Sequence, residues 1–349
     1  MCISLLSVST SSVLSPTTWP FGLDWLPQST YLVGGIVRDA LLDRQSSQLD
    51  LDFVMPEGAV ETARSIARHY KAGFVLLDEE RQIARVVFDR ATADFARQVG
   101  PTLEIDLQRR DFTVNAIAYN PHRGEIIDPL KGQVDLKRRL LRMICVENLE
   151  EDPLRLLRAY RQAAQLGFSL DPDTRIVIQR LAPLLNRIAA ERVQAELSYL
   201  FSTPKGTPWL IEAWQDGLLQ AWFPSTTPQS LKLLAAIEAA DAVLSERCPA
   251  LGVELSRWIR EKPIHPSRSP ESQTTVRENS LAKSGSCRRT WLATAKLASF
   301  FVAMPGRAEA ELVRLKYSRA EIQAVITILK FLPQLHPEVS LSCREQYFL

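Results

Sequence analysis

The spacing of apolar and polar positions divides the chain into a first part of short alternating segments and a longer part of helical period. Tyr31-Leu32-Val33 is a short apolar strand that runs into Gly34-Gly35, and Ile36 to Leu42 has helical spacing. Leu49 to Val54 alternates apolar and acidic positions. As a strand it turns Leu51 and Phe53 to the core and projects Asp50 and Asp52 together from the other face. Ala59 to Tyr70 places Ala63, Ile66, Ala67 and Tyr70 at helical intervals. Phe74 to Leu77, Ile83 to Phe88 and Ala93 to Ala96 read as strands separated by turns, which predicts a mostly antiparallel sheet. Asp106 to Ala118 is amphipathic, with an Arg109-Arg110-Asp111 cluster that on its own is compatible with a salt-bridged helix. From Glu147 onwards the period is helical. Glu150 to Arg161 opens a helix with acids and Pro153 in its first turn, and Asp171 begins another. Trp209 to Trp222, Leu231 to Glu261, Thr290 to Ala303 and Ala308 to Leu332 continue the pattern.

The fold class expected is therefore α+β, a small mixed or antiparallel sheet with helices followed by an all-helical body. Residues 1–29 read as a leader packing weakly on the head, 30–140 as the head and 141–262 as a helical body. Residues 263–287, polar and rich in Pro, Ser and Thr, read as a flexible linker, and 288–349 as a helical tail.

Composition adds exclusions. At 349 residues the chain has room for two or three domains, and 46% hydrophobic with 23% charged residues is an ordinary globular composition. A net charge of +2 is no polycation, so a nucleic-acid surface must be a local patch. The five cysteines, Cys2, Cys145, Cys248, Cys287 and Cys343, have no paired spacing. They read as reduced thiols of a cytoplasmic protein, not as a disulfide framework or zinc site. The N-terminus lacks a basic region ahead of its apolar run, which argues against a signal peptide. No apolar run approaches the length of a membrane span, so no membrane partner is expected.

The candidate chemistry sits between Tyr31 and Val54. A Gly34-Gly35 turn feeding a helix offers free N–H groups to phosphate, and Arg38 in the first helical turn adds a fork of donors. Asp50 and Asp52 on one strand face repel each other unless a cation lies between them. Mg²⁺, which favours carboxylate and phosphate oxygens, is the ion expected. Further on, Arg161 falls among Leu154, Leu157 and Ala164 on the apolar side of its helix, where a cation needs a partner or a wet cleft.

Gly34-Gly35-x-Val37-Arg38-Asp39 followed by Asp50-x-Asp52 resembles the head of the nucleotidyltransferase superfamily that includes DNA polymerase beta. The most similar branch is the bacterial one containing CCA-adding tRNA nucleotidyltransferases and poly(A) polymerases. Four later segments resemble that family in order: R-R-D-F-T-x-N-A at Arg109 to Ala116, D-P-x-x-G-x-x-D-L at Asp128 to Leu136, E-D-x-x-R at Glu151, Asp152 and Arg155, and E-R-V-x-x-E-L at Glu191 to Leu197. The resemblance covers residues 31–200. It implies a polymerase-beta-like nucleotidyltransferase head that adds C or A from CTP and ATP to the 3′ end of tRNA. Gly34, Gly35, Arg38 and Asp39 would line the nucleotide site, and Asp50 and Asp52 would hold two Mg²⁺ ions. Asp94 would be a third carboxylate, an ordinary surface aspartate being equally compatible with its sequence. Arg110 would bind the triphosphate, and Asp111 and Asn115 would contact the sugar.

By the same resemblance the helix carrying Asp152 and Arg155 acts as a protein template for the base. Asp152 would accept from the exocyclic amine of cytosine or adenine, and Arg155 would donate to the neighbouring ring acceptor. Guanine and uracil leave both unpaired, at roughly 1–3 kcal/mol for each group. Arg158 and Arg161 would reach towards the triphosphate, and Glu191 with Arg192 would brace the helix. The segment between Asp94 and Arg109 is shorter than the charged loop of many CCA-adding relatives, which admits a CC-adding or A-adding enzyme, or a poly(A) polymerase. Two other classes are a non-catalytic RNA-binding protein on the same fold, which intact Asp50, Asp52 and Arg38 oppose, and an antibiotic-modifying transferase, which the template helix opposes. No His-Asp phosphohydrolase pattern is present, so phosphatase activity is not expected.

Overall fold

The computed structural model describes residues 3–5, 13–44, 48–257, 259 and 290–332. The expected linker at 263–287 lies outside the described residues, as do parts of the leader and tail. The chain forms two compact units, Met1–Glu151 with Phe168–Arg175, and Asp152–Gly167 with Ile176–Leu349.

The first unit is built on an eight-stranded sheet. Its strands are β1 (Ile3–Leu5), β2 (Tyr31–Val33), β3 (Leu49–Met55), β4 (Gly73–Asp78), β5 (Ile83–Val87), β6 (Ala91–Arg97), β7 (Ala118–Asn120) and β8 (Glu125–Ile127), in the order β1-β8-β7-β2-β3-β6-β5-β4. Only the central β3–β6 pair is parallel. That pairing follows from the connection: α2 (Ala59–His69) and the β4–β5 hairpin carry the chain back before β6 enters. Leu51 and Phe53 alternate inwards with Ala93 and Phe95, all at most 1% exposed, and Phe53 stacks on Phe95 with ring centroids 5.2 Å apart.

The leader differs from its expectation. Trp19 meets Phe53 edge-on at 5.2 Å, and Phe21 contacts Phe53, Phe88 and Phe95. Both rings are buried, and Trp19 Nε1 donates to the Val13 carbonyl at 2.9 Å. Two large aromatics fill the back of the sheet, so this segment is core and not a weakly packed lead-in.

The R-R-D-F-T segment is not a helix either. Helix α3 (Leu103–Gln108) ends before it, and a single 3₁₀ turn covers Thr113–Asn115. Tertiary pairing wins over the helical ladder: Thr113 N–H donates to the Arg142 carbonyl, and Ile144 N–H to the Asp111 carbonyl. The D-P-x-x-G-x-x-D-L segment locks onto it. Asp128 accepts the Gly132 and Gln133 N–H groups at 2.7 and 2.9 Å, starting α4 (Gly132–Arg138). Asp135 accepts the Thr113 hydroxyl at 2.7 Å. A β-carbon on Gly132 would lie 2.3 Å from the Thr113 carbonyl oxygen. Gly132→Ala is therefore expected to cost about 1–3 kcal/mol through backbone displacement, read as a lower urea midpoint with an unchanged slope.

Beyond α4, Leu140–Leu141 (β9) pairs in parallel with Ser169–Leu170 (β10). Arg142 lies 3.8 Å from Asp171, and Met143 N–H donates to the Thr174 hydroxyl. Helix α5 (Val146–Glu151) ends the first of this unit's two stretches of chain.

The second unit is helical, through α6 (Leu154–Leu166), α7 (Pro172–Leu181, which begins in the first unit), α8 (Ala190–Ser202), α9 (Gly206–Gln215), α10 (Pro228–Arg247), α11 (Pro249–Leu255), α12 (Trp291–Ser299), α13 (Ala308–Arg314) and α14 (Arg319–Phe331). The helix expected from Glu150 is two, because Pro153 has no N–H to continue α5. The helix expected over Trp209 to Trp222 ends at Gln215, just before Gly217 turns at φ +92°. Pro249 divides the long helix expected from Leu231, and Ser318 begins α14 with a capping box to Glu321.

Candidate active site

Register across the sheet gathers the acidic residues. Asp50 lies opposite Thr92 and Asp52 opposite Asp94 on the parallel β3–β6 pair, so the three carboxylates share one face. Leu51, Phe53, Ala93 and Phe95 anchor the other face, which fixes the strands from behind. Asp50 accepts the Thr92 hydroxyl at 2.7 Å. Asp94 accepts both arms of Arg85, Nε at 2.6 Å and Nη2 at 2.7 Å.

Gly34 brings the Gly34-Gly35 turn to these carboxylates. Its φ of +79° suits glycine, and a β-carbon there would meet Asp52 Oδ2 at 3.4 Å and Arg110 Nη1 at 3.5 Å. Helix α1 (Gly35–Leu41) starts directly after it. Asp52 is open to solvent on this face, with other charged side chains crowded beside it. Its surroundings push its carboxyl up to about 6, first by desolvation and then by the Asp94 and Asp50 charges, against Arg110 and Arg85. A carboxyl held that high beside two others fits a site that gains from a cation. Among the described residues no three acidic, His or Cys groups converge as a ready ligand set. Asp50 and Asp52 give two donors, which fits an ion that takes one or two carboxylates and completes its shell from phosphates and water.

Arg110 Nη2 donates to Asp106 at 3.2 Å, and its buried Nε has no partner in the structure. Arg38 donates to Asp39 at 2.9 Å and to Asn115 Oδ1 at 2.7 Å, and the Asn115 amide donates to Asp111 at 2.8 Å. Asp111 and Asn115, expected at the sugar, are both buried and engaged in this chain of bonds.

In the second unit Asp152, Arg155, Arg158 and Arg161 lie at the start and along α6. Asp152 accepts from Leu154 N–H and, at 2.9 Å, from Arg192 of α8. The partner that Arg161 needs is Glu196, at 2.5 Å, with Gln165 on its other arm. Arg158 lies 3.7 Å from the same carboxylate. Sequence reading gave no role to Arg85, Thr92, Asp106 or Glu196, although Glu196 stood in the E-R-V-x-x-E-L segment. The signal for Arg85 was there: a lone charge in the apolar alternation of Ile83 to Val87.

Residues 30–142 match the poly A polymerase head domain, and residues 167–230 match a probable RNA and SrmB-binding site of polymerase A. A CC-adding tRNA nucleotidyltransferase of Synechocystis sp. is 49% identical over 330 residues, which are 94% of this chain and 73% of that protein. A CC-adding tRNA nucleotidyltransferase of Geobacter sulfurreducens is 37% identical over 72% of this chain and 57% of its own length. Among solved structures, a tRNA nucleotidyltransferase complexed with a primer tRNA and an incoming ATP analog superposes with a TM-score of 0.69 at 23% identity. The likeness covers 88% of this chain and 82% of that one, and at this identity it speaks for the fold. No helix among the described residues is long and apolar enough to cross a membrane.

Proposed function

The chain belongs to the family of bacterial tRNA nucleotidyltransferases and poly(A) polymerases, and from that premise we propose that it adds C, A or both from CTP and ATP to the 3′ end of tRNA. The tRNA 3′-hydroxyl attacks the nucleotide α-phosphate, a new phosphodiester forms and pyrophosphate leaves. The observation that carries this reading is the row of Asp50, Asp52 and Asp94 on one sheet face, with Gly34 and Arg110 against Asp52.

The family uses divalent metal ions. Mg²⁺ held by Asp50 and Asp52 would neutralise phosphate charge and favour the ionised hydroxyl. The chain's own residues do the rest. The Gly34 turn lets backbone approach the phosphates, and the Arg110 guanidinium beside it brings positive charge to an anion. Arg38 holds Asp39 and Asn115 in one bonded array beneath the turn. Asp152, just ahead of α6, and Arg155 on it select the base by pairing with an amine and an adjacent acceptor, and Arg192 fixes the Asp152 carboxylate.

A second reading, addition of CC alone or of A alone, is favoured by the short link from β6 to α3, residues 98–102. The test is extension of tRNA transcripts lacking CCA or ending in CC, supplied with Mg²⁺ and CTP, ATP, both, GTP or UTP. Full CCA with both nucleotides supports the general enzyme, and a stop at CC, or A addition only to the CC end, supports a narrower one. Incorporation of GTP or UTP at comparable rates would remove Asp152 and Arg155 from base selection. No extension of any tRNA end would overturn the catalytic reading.

A further inference from the structure

Residues of four neighbouring strands line up across the sheet: Val75 on β4 opposite Arg85 on β5, Arg85 opposite Asp94 on β6, and Asp94 opposite Asp52 on β3. Residues opposite one another in a sheet project from the same face. Arg85 therefore stands on the carboxylate face, one strand outside the cluster, and its planar fork engages both oxygens of Asp94 at 2.6 and 2.7 Å. A bidentate pair of this kind fixes orientation as well as charge. Among the described residues Asp50 and Asp52 have no such bidentate partner; Asp50 takes a neutral hydroxyl from Thr92. The three acids are thus treated unequally, and one arginine makes the difference.

We propose that Arg85 is a positioning residue for nucleotidyl transfer: it clamps Asp94 beside Asp52 and keeps it out of the ion's ligand set, leaving Asp50 and Asp52 to hold the ion. This rests on the nucleotidyltransferase reading above. Three free carboxylates on adjacent strands would grip a divalent ion more tightly but with less defined geometry. Clamping one of them trades affinity for a fixed two-carboxylate cradle whose remaining positions belong to phosphate and the attacking hydroxyl.

The experiment compares wild type with Arg85→Met, Arg85→Lys, Asp94→Asn and the Arg85→Met/Asp94→Asn double variant. The probe is Mn²⁺ alone, its binding to nucleotide-free protein read by electron paramagnetic resonance of the free ion, with circular dichroism confirming the fold. Arg85→Met frees Asp94 and removes a cation, so Mn²⁺ is expected to bind about 3- to 10-fold more tightly. The double variant is expected to lose that gain, and Arg85→Lys to stay near wild type because it keeps the charge. In tRNA extension, Arg85→Met is expected to lose about 10- to 100-fold in kcat with little change in KM for the nucleotide, and Arg85→Lys to recover part of it. Unchanged Mn²⁺ affinity in folded Arg85→Met, or a gain that persists in the double variant, overturns the clamp. Unchanged kcat in Arg85→Met overturns the positioning role. An inactive wild type with the Mn²⁺ pattern as expected would instead fault the nucleotidyltransferase reading, so the two failures are distinct.

Discussion

Asp52→Ala is expected to lower tRNA extension by at least about a thousandfold, since it removes one of two carboxylates able to hold the ion at the reacting phosphate. The same change is expected to make the metal-free protein more stable at pH 7.5. The Asp52 carboxyl sits near 6 in the folded chain against an ordinary value of 3.8. The folded state holds that proton more tightly than the unfolded chain does. Its favourable contribution is complete below about pH 3.8 and is lost as pH rises through 6. Taken at face value the shift corresponds to about 3 kcal/mol of destabilisation at neutral pH. Water reaches the side chain and screens it, so about 1 kcal/mol is the expected gain on removal. Thermal denaturation with a chelator at pH 7.5 and pH 4.5 checks this. The variant should be the more stable protein at the higher pH and lose that advantage at the lower. Added divalent ion should stabilise wild type at pH 7.5 and not the variant. A variant that loses stability along with activity at pH 7.5 would mean that Asp52 is structural.

Glu196→Ala is expected to destabilise the helical unit strongly. Glu196 is 8% exposed and answers Arg161 at 2.5 Å, with Arg158 close by. The Arg161 side chain is itself only 16% exposed. Deleting the acid leaves a guanidinium with too few partners among apolar neighbours, at about 3–5 kcal/mol. Because α6 leans on α8 through this pair, the loss should appear twice. Chemical denaturation should show a lower midpoint, and discrimination of CTP and ATP from GTP should weaken as α6 loosens. Glu196→Gln keeps a hydrogen-bond acceptor and should retain part of both. A midpoint within about 1 kcal/mol of wild type for Glu196→Ala would show that water satisfies Arg161, and that the pair is not what holds the two helices together.

Much of this was legible in the chain. Alternation placed Asp50 and Asp52 on one face and Leu51 and Phe53 on the other, and the structure keeps that division. The strand at Ala93 and the helix at Ala59 were equally plain, because both depend on local period. What could not be read depends on contacts distant in sequence. Trp19 and Phe21 lie in a Ser- and Pro-rich stretch, and nothing near them says that Phe53 and Phe95 await their rings. Arg109 to Asn115 has helical composition, yet its backbone groups pair with Arg142 and Ile144. Asp94 was a candidate and Arg85 an overlooked charge in an apolar strand, and only strand register makes them partners. Arg161 announced that it needed an anion, and only the packing of α8 named Glu196.

The return of residues 168–175 to the first unit has a practical meaning for anyone cutting the gene. A fragment ending at Glu151 looks like a complete head, but it would lack the short strand that Leu140–Leu141 pairs with and the Asp171 that Arg142 faces. The Thr174 hydroxyl that satisfies Met143 N–H would go with them. The head is written in two pieces, with α6 spliced between them as an insert. Exchanging heads between relatives therefore takes two grafts, and a single crossover would leave each half-domain with a foreign edge.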